Sequence, residues 1–230
     1  MSIKKPKNHK NPWIRSEKSK QKLLRIIKKA KILFYEQGAA FKMRELARRL
    51  GVGISYLYRY VESKRELWFA VVYQEYSDLT KRFQHIKENY KGSGLKLLEN
   101  IFTEFINFSQ EEFPRFNLMF LMQPPTSNKS KGPFEEWQDP QFSLLLFSIF
   151  DQALSDLKIS IKNHRLIAYS IWSMILGFAT QNSPIYDYFI DVDPFPVENK
   201  AFKEFILNLI STIIKSNELK LEMDDNYNKK

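Results

Sequence analysis

Cations, hydroxyl groups and glycines are concentrated in one stretch of the chain, LARRLGVGISYLYRYVESKREL at residues 46–67. The whole sequence contains only seven glycines, yet Gly51 and Gly53 flank a single valine here. Three tyrosines, an arginine and a lysine–arginine pair follow these glycines. Because lysine, arginine and hydroxyl side chains are the groups that bind phosphate oxygens, the stretch could bind a nucleic acid.

Other site chemistries find little support in the sequence. The absence of cysteine excludes disulfides, thiolate metal ligands and a cysteine nucleophile. The histidines, which are His9, His85 and His164, lie far apart and show no metal-binding spacing. We therefore expect no metal and no cofactor.

An enzymatic alternative would have to use Asp139, Asp151, Asp156 and His164. These residues do not form paired carboxylates on one helix face, and no glycine-rich phosphate loop accompanies them. The sequence therefore predicts a protein that is not an enzyme.

The charge of this 230-residue chain is concentrated at its N-terminal end. Residues 1–65 hold 19 lysines and arginines against 4 acidic residues, although the net charge of the chain is only +10. This asymmetry favours a polyanionic partner. Two alternatives remain, namely a solvated basic tail and a protein that binds a membrane surface, although the latter needs exposed bulky apolar residues on a basic helix.

Residues 1–16 are predicted to form a flexible basic arm. Its lysines (Lys4, Lys5, Lys7 and Lys10) could lie along DNA phosphates or form a passive disordered tail. The arm has no apolar stretch behind it, so it is not a signal peptide, and no apolar segment is long enough to span a membrane. A cytoplasmic location and no membrane partner are expected.

Apolar residues recur at helical spacing through most of the chain, and no alternating strand pattern is found. The sequence predicts an all-α fold of about nine helices, at 17–37, 43–50, 54–61, 63–89, 95–112, 114–123, 140–157, 162–182 and 200–215. Ser63 and Glu66 form a capping box that starts the long fourth helix, and its N-terminus with Lys64 beside it is typical of a phosphate-binding end.

The second and third helices are short and joined by a glycine turn, which indicates a helix-turn-helix. Gly51 is expected in the left-handed conformation, where glycine avoids a Cβ clash. The buried seam is predicted to consist of Leu46, Ala47, Leu50 and Leu57. The residues then left to face outward are Ser55, Tyr56, Arg59 and Tyr60, a set typical of a recognition helix.

Residues 30–72 resemble the N-terminal DNA-binding domain of the TetR family of transcriptional regulators. The matching elements are Leu33-Phe34, Gly38, Leu46-Ala47, Gly51-Val52, Leu57-Tyr58, Tyr60, Ser63-Lys64 and Leu67. The resemblance implies phosphate contacts from Lys42, Tyr58, Tyr60 and Lys64. It also implies base-facing positions at Arg44, Ile54, Ser55 and Tyr56.

Four positions depart from the family pattern. Lys42 stands where the family usually has serine or threonine, Ser55-Tyr56 replaces Gly-Thr, and Val61 replaces phenylalanine. A tyrosine at position 56 would read thymine methyl groups or stack on sugars. The operator sequence therefore cannot be taken from a relative.

The resemblance weakens after about residue 75. Residues 112–121 and 171–181 resemble the ligand-binding domain of one TetR subgroup, whose Trp…His-Gly pattern becomes Trp172…Leu176-Gly177 here, without the histidine. Aromatic and methionine side chains at near-helical spacing indicate either a plain core or an apolar ligand pocket. The candidate pocket residues are Phe102, Phe105, Phe116, Met119, Phe120, Phe147, Tyr169 and Trp172.

The last two predicted helices carry apolar faces suited to a dimer interface, although the final stripe could also pack only within the chain. The candidate interface residues are Ser173, Gly177, Phe202, Phe205, Ile206, Leu209, Ile210 and Ile213. Ser173 and Gly177 are small and four residues apart, which lets another helix approach closely. Dimerisation would also place two recognition helices about one DNA turn apart.

The resemblance implies a homodimeric repressor that a small apolar or amphipathic ligand releases from a palindromic operator. The alternative is a constitutive DNA-binding regulator with a filled core and no inducer. The predicted organisation is an arm at 1–16, a DNA-binding domain at 17–77 with its helix-turn-helix at about 42–61, a ligand-binding and dimerisation domain at 78–217, and a disordered charged tail at 218–230.

Overall fold

A computed structural model describes residues 12, 16–156, 164–181, 200–209 and 212. These residues form helices and connecting turns, and no strand occurs among them, so the all-α prediction is confirmed. The helices are α1 (Glu17–Gln37), α2 (Met43–Leu50), α3 (Ile54–Leu57), α4 (Lys64–Asn89), α5 (Gly94–Glu111), α6 (Phe113–Phe116), a π-helical turn (Asn117–Leu121), α7 (Pro133–Glu136), α8 (Gln141–Asp156) and α9 (His164–Gln181). Residues 200–209 form a further helix, α10.

Local signals explain where the long helices begin and end. The Ser16 hydroxyl accepts a hydrogen bond from the Ser19 amide at the start of α1, and Ser93 does the same for Lys96 at the start of α5. Gly38 ends α1 with φ +58°, a conformation that strains residues with a Cβ. None of the described helices is both long and apolar enough to cross a membrane.

Two predicted helices differ in the structure, and the short helix α7 was not predicted. The third ends at Leu57 rather than at residue 61, because the chain tightens into a turn in which the Tyr60 amide donates to the Leu57 carbonyl over 2.9 Å. The helix predicted at 114–123 is instead α6 followed by the π-helical turn. Helical periodicity does not distinguish these tighter and wider turns from a regular α-helix.

The chain divides into two compact units, and unit 1 consists of residues 1–79 and 114–142. Its apolar core joins one face of α1 to α2, α3 and the first half of α4. The largest fully buried side chains of this core include Leu23, Ile26, Ile27, Leu33, Phe34, Phe41, Leu46 and Phe134. Leu118 and Phe134 show that residues from the middle of the chain complete this core.

The sequence prediction assigned the 114–142 segment to a second domain at 78–217, whereas the structure groups this segment with unit 1. Its rings lie against the first half of α4. Phe120 and Phe142 contact the Tyr76 ring at centroid distances of 5.6 and 5.3 Å. The Tyr73 hydroxyl donates to the Trp137 carbonyl over 2.5 Å. Residues this far apart in sequence leave no periodic signal of their contact.

A buried carboxylate also ties the 114–142 segment to α1 and α4. Glu75 has a fully buried side chain and forms ion pairs with Lys31, at 2.7 Å, and with Arg115. The Arg115 side chain is itself only 14% exposed. Because buried charges are costly unless they are paired, all three residues depend on one another.

Unit 2 consists of residues 80–113 and 143–230, of which the described part contains α5, α8, α9 and α10. Aromatic side chains fill its core, with ring centroids 4.7 Å apart for Phe105 and Trp172. Gly94 begins α5 directly against α8, where an added Cβ would lie only 2.4 Å from the Ala153 Cα atom. This close approach explains why a glycine stands at that helix crossing.

Candidate nucleic-acid interface

The turn between α2 and α3 has the geometry that its glycines predict. Gly51 adopts φ +68° and ψ +35°, which is the left-handed conformation of a helix C-cap. The Val52 amide then donates to the Ala47 carbonyl over 3.0 Å. Gly53 precedes α3 in an extended conformation. This arrangement is the turn of a helix-turn-helix, as predicted.

The predicted seam of the helix-turn-helix is buried. Leu46 and Leu57 are fully inaccessible, and Ala47 and Leu50 are less than one-tenth exposed. Burial of these side chains against the core of unit 1 fixes the orientation of α3. The opposite side of α3 therefore stays available to a partner.

Side chains predicted to contact DNA differ in their exposure. Ser55 and the 38%-exposed Tyr58 lie at the surface, as does their neighbour Arg59. Ile54, Tyr56 and Tyr60 are half-buried and pack against the core of unit 1. The expectation that Tyr56 and Tyr60 face outward therefore holds for only part of each ring, because the rest of the ring covers the core.

Tyr56, Arg59 and Tyr60 form one stacked group. The Tyr56 and Tyr60 ring centroids are 5.3 Å apart, and the Arg59 guanidinium carbon lies 4.9 Å from the Tyr56 ring centroid. The exposed guanidinium is thus held against a ring that is itself fixed by the core. Arg59 was expected to face outward but was not among the predicted contacts.

Lys64 was predicted to bind a phosphate, but its ammonium lies against the protein. It donates to the Ala39 carbonyl over 2.5 Å and to the Phe41 carbonyl over 3.0 Å. Burial lowers the pKa of this ammonium below its ordinary value. Two of its three N–H groups therefore hold the turn that precedes α2.

The capping box at the start of α4 is formed only in part. The Ser63 hydroxyl accepts from the Glu66 amide over 3.1 Å, as predicted. The Glu66 carboxylate does not complete the box, because it accepts from the Glu62 amide and, over 3.2 Å, from the Phe134 amide. Burial raises the pKa of the Glu66 carboxyl. The buried Glu66 carboxylate thus occupies the start of α4, where the sequence predicted a phosphate.

Exposed cations of α2 extend the surface beside α3. Lys42, Arg44 and Arg48 are exposed, and Arg48 was missed by the sequence interpretation because helix position alone does not distinguish it from Arg49. Arg49 is held by Glu36 at 2.8 Å and by Glu45 at 2.9 Å. A surface depression of about 420 Å³ lies here, lined by Gln37, Ala40, Phe41, Lys42, Arg44, Glu45 and Arg48.

A loop of the 114–142 segment reaches the end of α3. The Lys129 ammonium lies 4.1 Å from the centroid of the Tyr58 ring. The sequence interpretation missed Lys129 because about seventy residues separate it from the helix-turn-helix, and no local pattern indicates this contact. Two lysines within QPPTSNKSKGP, with no acidic residue beside them, were the only available signal.

The predicted pocket residues fall into both compact units. Phe116, Met119 and Phe120 belong to unit 1, whereas the other five belong to unit 2. In unit 2 the candidate rings contact one another: Phe147 and Tyr169 have centroids 4.9 Å apart, and Tyr169 is 57% exposed. The structure therefore does not place the eight residues within one unit.

Described members of the predicted dimer interface also differ in exposure. Ser173 and Gly177 are exposed on α9, and Phe205 is 57% exposed on α10. Ile206 is buried, and Phe202 stacks on Phe178 with centroids 3.9 Å apart. Leu209 is half-buried, while Ile210 and Ile213 lie outside the described residues, as do the 218–230 tail and the arm lysines.

Among the residues that the structure describes, no group of three or more histidine and acidic side chains could hold a metal ion.

Comparisons with known proteins agree with this geometry. Residues 26–71 match the family model described as bacterial regulatory proteins, tetR family. No curated protein matches the chain in sequence.

Two solved structures share its fold. One is a transcriptional regulator of the TetR/AcrR family from Thermobifida fusca, with a TM-score of 0.55 and 16% identity over 82% of this chain and 96% of that one. The other is the TetR-family transcriptional regulator PfmR from Thermus thermophilus, with a TM-score of 0.50 and 18% identity over 80% of this chain and 97% of that one. The helix-turn-helix therefore lies within the residues that match the tetR family model, and the two solved structures share the all-α fold of the chain.

Proposed function

We propose that the protein is a homodimeric repressor that binds a two-fold symmetric operator through the exposed side of α3. The observation that carries this proposal is the exposed group of Ser55, Tyr58 and Arg59 beside the exposed cations of α2. A helix-turn-helix with a buried seam presents these side chains on a rigid support. Their chemistry suits phosphates and base edges in the major groove.

Different residues of this surface take different roles. Lys42, Tyr58 and Tyr60 bind phosphates, and Arg59 and Arg48 add further cations for the backbone. Arg44, Ile54, Ser55 and Tyr56 face base edges, and the Tyr56 ring offers an apolar edge for thymine methyl groups. Lys64 acts as a positioning residue, since its ammonium holds the carbonyls of Ala39 and Phe41.

The dimer forms through the exposed side of α9 and α10. Leu166, Tyr169 and Phe205 are large apolar or aromatic residues more than half exposed in the single chain. Ser173 and Gly177 continue the same exposed side of α9, and an added Cβ at Gly177 would meet nothing within 4 Å. Small residues there let a partner helix approach closely, and an isologous interface generates the two-fold symmetry of the operator.

Selection of random DNA duplexes by the full-length protein tests sequence-specific binding. The selected duplexes are expected to share an inverted repeat with half-sites about 34–36 Å apart. Tyr56→Ala is expected to change the selected sequence, whereas Tyr58→Phe weakens binding to all sequences alike. Tyr90→Phe, in unit 2, is the matched control and leaves binding unchanged. Selection of no shared sequence would contradict the proposal.

Release from DNA follows when a small apolar or amphipathic ligand binds unit 2. Such a ligand acts only if it binds the DNA-free conformation more tightly than the DNA-bound one. The aromatic composition of unit 2 supports this chemistry, with Phe102, Phe105 and Trp172 as candidate contacts. Repression follows from occupancy of a promoter.

A constitutive regulator without an inducer is the second candidate. Direct contact between the rings of Phe105 and Trp172, at 4.7 Å, and of Phe102 and Phe150, at 6.0 Å, favours a core already filled by side chains. A thermal-shift screen of apolar compounds, followed by DNA release assays, separates the two candidates. Compounds that stabilise the free protein and dissociate the complex support the inducible repressor; their absence, with intact DNA binding, supports the constitutive one.

A further inference from the structure

We propose that the loop formed by residues 126–131 is a second DNA-binding element, whose Lys129 and Lys131 bind backbone phosphates beside the recognition helix. This inference rests on the proposed function and extends it beyond the helix-turn-helix. The loop and α3 belong to the same compact unit.

The position of the loop next to α3 is set by direct contact. Lys129 places its ammonium 4.1 Å from the centroid of the Tyr58 ring. Tyr58 is the C-cap residue that directly follows α3, and it is itself exposed. A phosphate that reaches the Tyr58 hydroxyl would therefore also lie near the Lys129 ammonium.

Arg65 fixes the backbone of the loop to the start of α4. Its guanidinium donates to the Ser127 carbonyl over 3.0 Å and to the Lys129 carbonyl over 3.2 Å. The same group pairs with the Glu135 carboxylate at 2.5 Å, whose side chain is only 3% exposed. Two contacts to the loop backbone and one to α7, all from one planar group, hold the loop in a defined conformation, so its lysines are preorganised rather than loosely tethered.

A second attachment follows directly in sequence. The Phe134 amide donates to the buried Glu66 carboxylate over 3.2 Å. Gly132 approaches this carboxylate so closely that an added Cβ would lie 2.1 Å from the Glu66 Cδ atom. The loop is therefore clamped at both ends, by Arg65 and by Glu66.

The outward side of the loop has the composition of a phosphate-binding surface. Its exposed residues are Thr126, Asn128, Lys129, Ser130 and Lys131. Cationic, hydroxyl and amide side chains of this kind make most protein contacts to DNA phosphates. No acidic residue occurs between 123 and 133 to oppose this charge. The surface thus complements a polyanion, as do the adjacent cations of the helix-turn-helix.

The salt dependence of DNA binding tests the proposal, because phosphate contacts do not depend on sequence. Binding of the full-length protein to a fluorescently labelled random-sequence duplex is measured at several salt concentrations. Each lysine that neutralises one phosphate contributes about 0.9 to the slope of log affinity against log salt, so Lys129→Ala/Lys131→Ala should lower its magnitude by about 1.8 per bound chain. Thermal unfolding of each variant verifies that the fold is retained.

Matched variants separate this inference from the proposed function. Lys91→Ala/Lys200→Ala removes two exposed lysines from unit 2 and should leave the slope unchanged. Lys42→Ala/Arg44→Ala removes two cations from the helix-turn-helix and should lower it. If only the helix-turn-helix variant lowers the slope, the loop proposal is overturned and the DNA-binding proposal stands. If the unmodified protein shows no salt-dependent DNA binding, both are overturned.

Single variants distinguish phosphate binding from support of Tyr58. Lys131→Ala alone should lower the slope by about 0.9 for each bound chain. If instead Lys129→Ala reduces affinity at every salt concentration without changing the slope, and Lys131→Ala has no effect, Lys129 only positions the tyrosine and the proposal is wrong.

Discussion

Within unit 1, the helices α1 to α3 and the 114–142 segment are held in place differently. The helix-turn-helix packs through an apolar seam, in which Leu46 and Leu57 are fully buried. The segment contributes Leu118 and Phe134 to the core, and charged groups of α4 also hold it. Among these are the buried carboxylates of Glu66 and Glu75, neither of which exposes any surface.

This difference distinguishes contacts that stabilise unit 1 from contacts that fix the position of the 114–142 segment. Apolar burial stabilises wherever complementary surfaces meet and has little directional preference. A buried carboxylate adds little net stability, but it tolerates only an arrangement in which its partners are present. The seam thus holds α2 and α3 in place, whereas the buried acids specify where the 114–142 segment lies.

The largest loss in the free energy of unfolding is expected from Glu75→Ala. This substitution leaves Lys31 and Arg115 without the carboxylate between them, and loss of one partner of a buried ion pair typically costs about 3–5 kcal/mol. Urea denaturation measures the free energy of unfolding. Glu45→Ala is the control, because Glu45 is paired with Arg49 while both side chains are about one-quarter exposed, and solvent screens such a pair so that its loss costs much less. Equal losses in the free energy of unfolding for the two variants would show that the buried Glu75 pairs matter no more than an exposed pair.

Leu46→Ala tests the apolar side of the comparison. Removal of a fully buried leucine leaves a cavity in the seam and should lower the free energy of unfolding by about 2–5 kcal/mol. Leu24→Ala makes the same chemical change at a position that is 36% exposed, where surface substitutions usually shift stability by less than about 0.5 kcal/mol. A seam that tolerates Leu46→Ala as well as Leu24→Ala would not be the main source of stability.

Gly132→Ala should detach the loop while leaving the seam intact. The new Cβ would displace the Glu66 carboxylate, which then loses the Phe134 amide. We expect faster trypsin cleavage after Lys129 and Lys131, measured by mass spectrometry, with an unchanged helical circular dichroism spectrum. Gly53→Ala is the control, since its added Cβ meets nothing within 4 Å. Unaltered cleavage would show that the loop is held without this close contact.

The smallest effect concerns Tyr76, which lies between α4 and the segment. Burial raises the pKa of its phenol to about 12 from an ordinary 10.0. The native state therefore keeps this proton where the unfolded state loses it, so its contribution to stability is complete below pH 10 and declines as pH rises toward 12. Tyr76→Phe should flatten this decline in thermal unfolding measured across that range. An identical pH dependence of unfolding in the unmodified protein and in Tyr76→Phe would contradict this role of the Tyr76 phenol.

The fold class and the helix-turn-helix could be predicted because their signals are local. Apolar periodicity gives α1, Gly51 gives the turn, and Ser63 gives the start of α4. The roles of Lys64 and Glu66 could not be predicted, because their partners are backbone groups that only the folded chain brings together. The same reason hides Lys129 from sequence analysis. The buried seam fixes which of the other predicted DNA-binding residues are exposed. Their contacts with DNA remain predictions.

The discontinuity of unit 1 has a consequence for synthesis and engineering. The N-terminal part of a chain leaves the ribosome first, so α1 to α3 emerge when Leu118 and Phe134 have not yet been made. The core then lacks two of its members, and Glu75 lacks Arg115. The final packing of unit 1 therefore waits for residue 142. For the same reason, a chimera that transfers only residues 1–79 to another protein would carry an incomplete unit 1. A chimera that also transfers residues 114–142 would carry the whole unit.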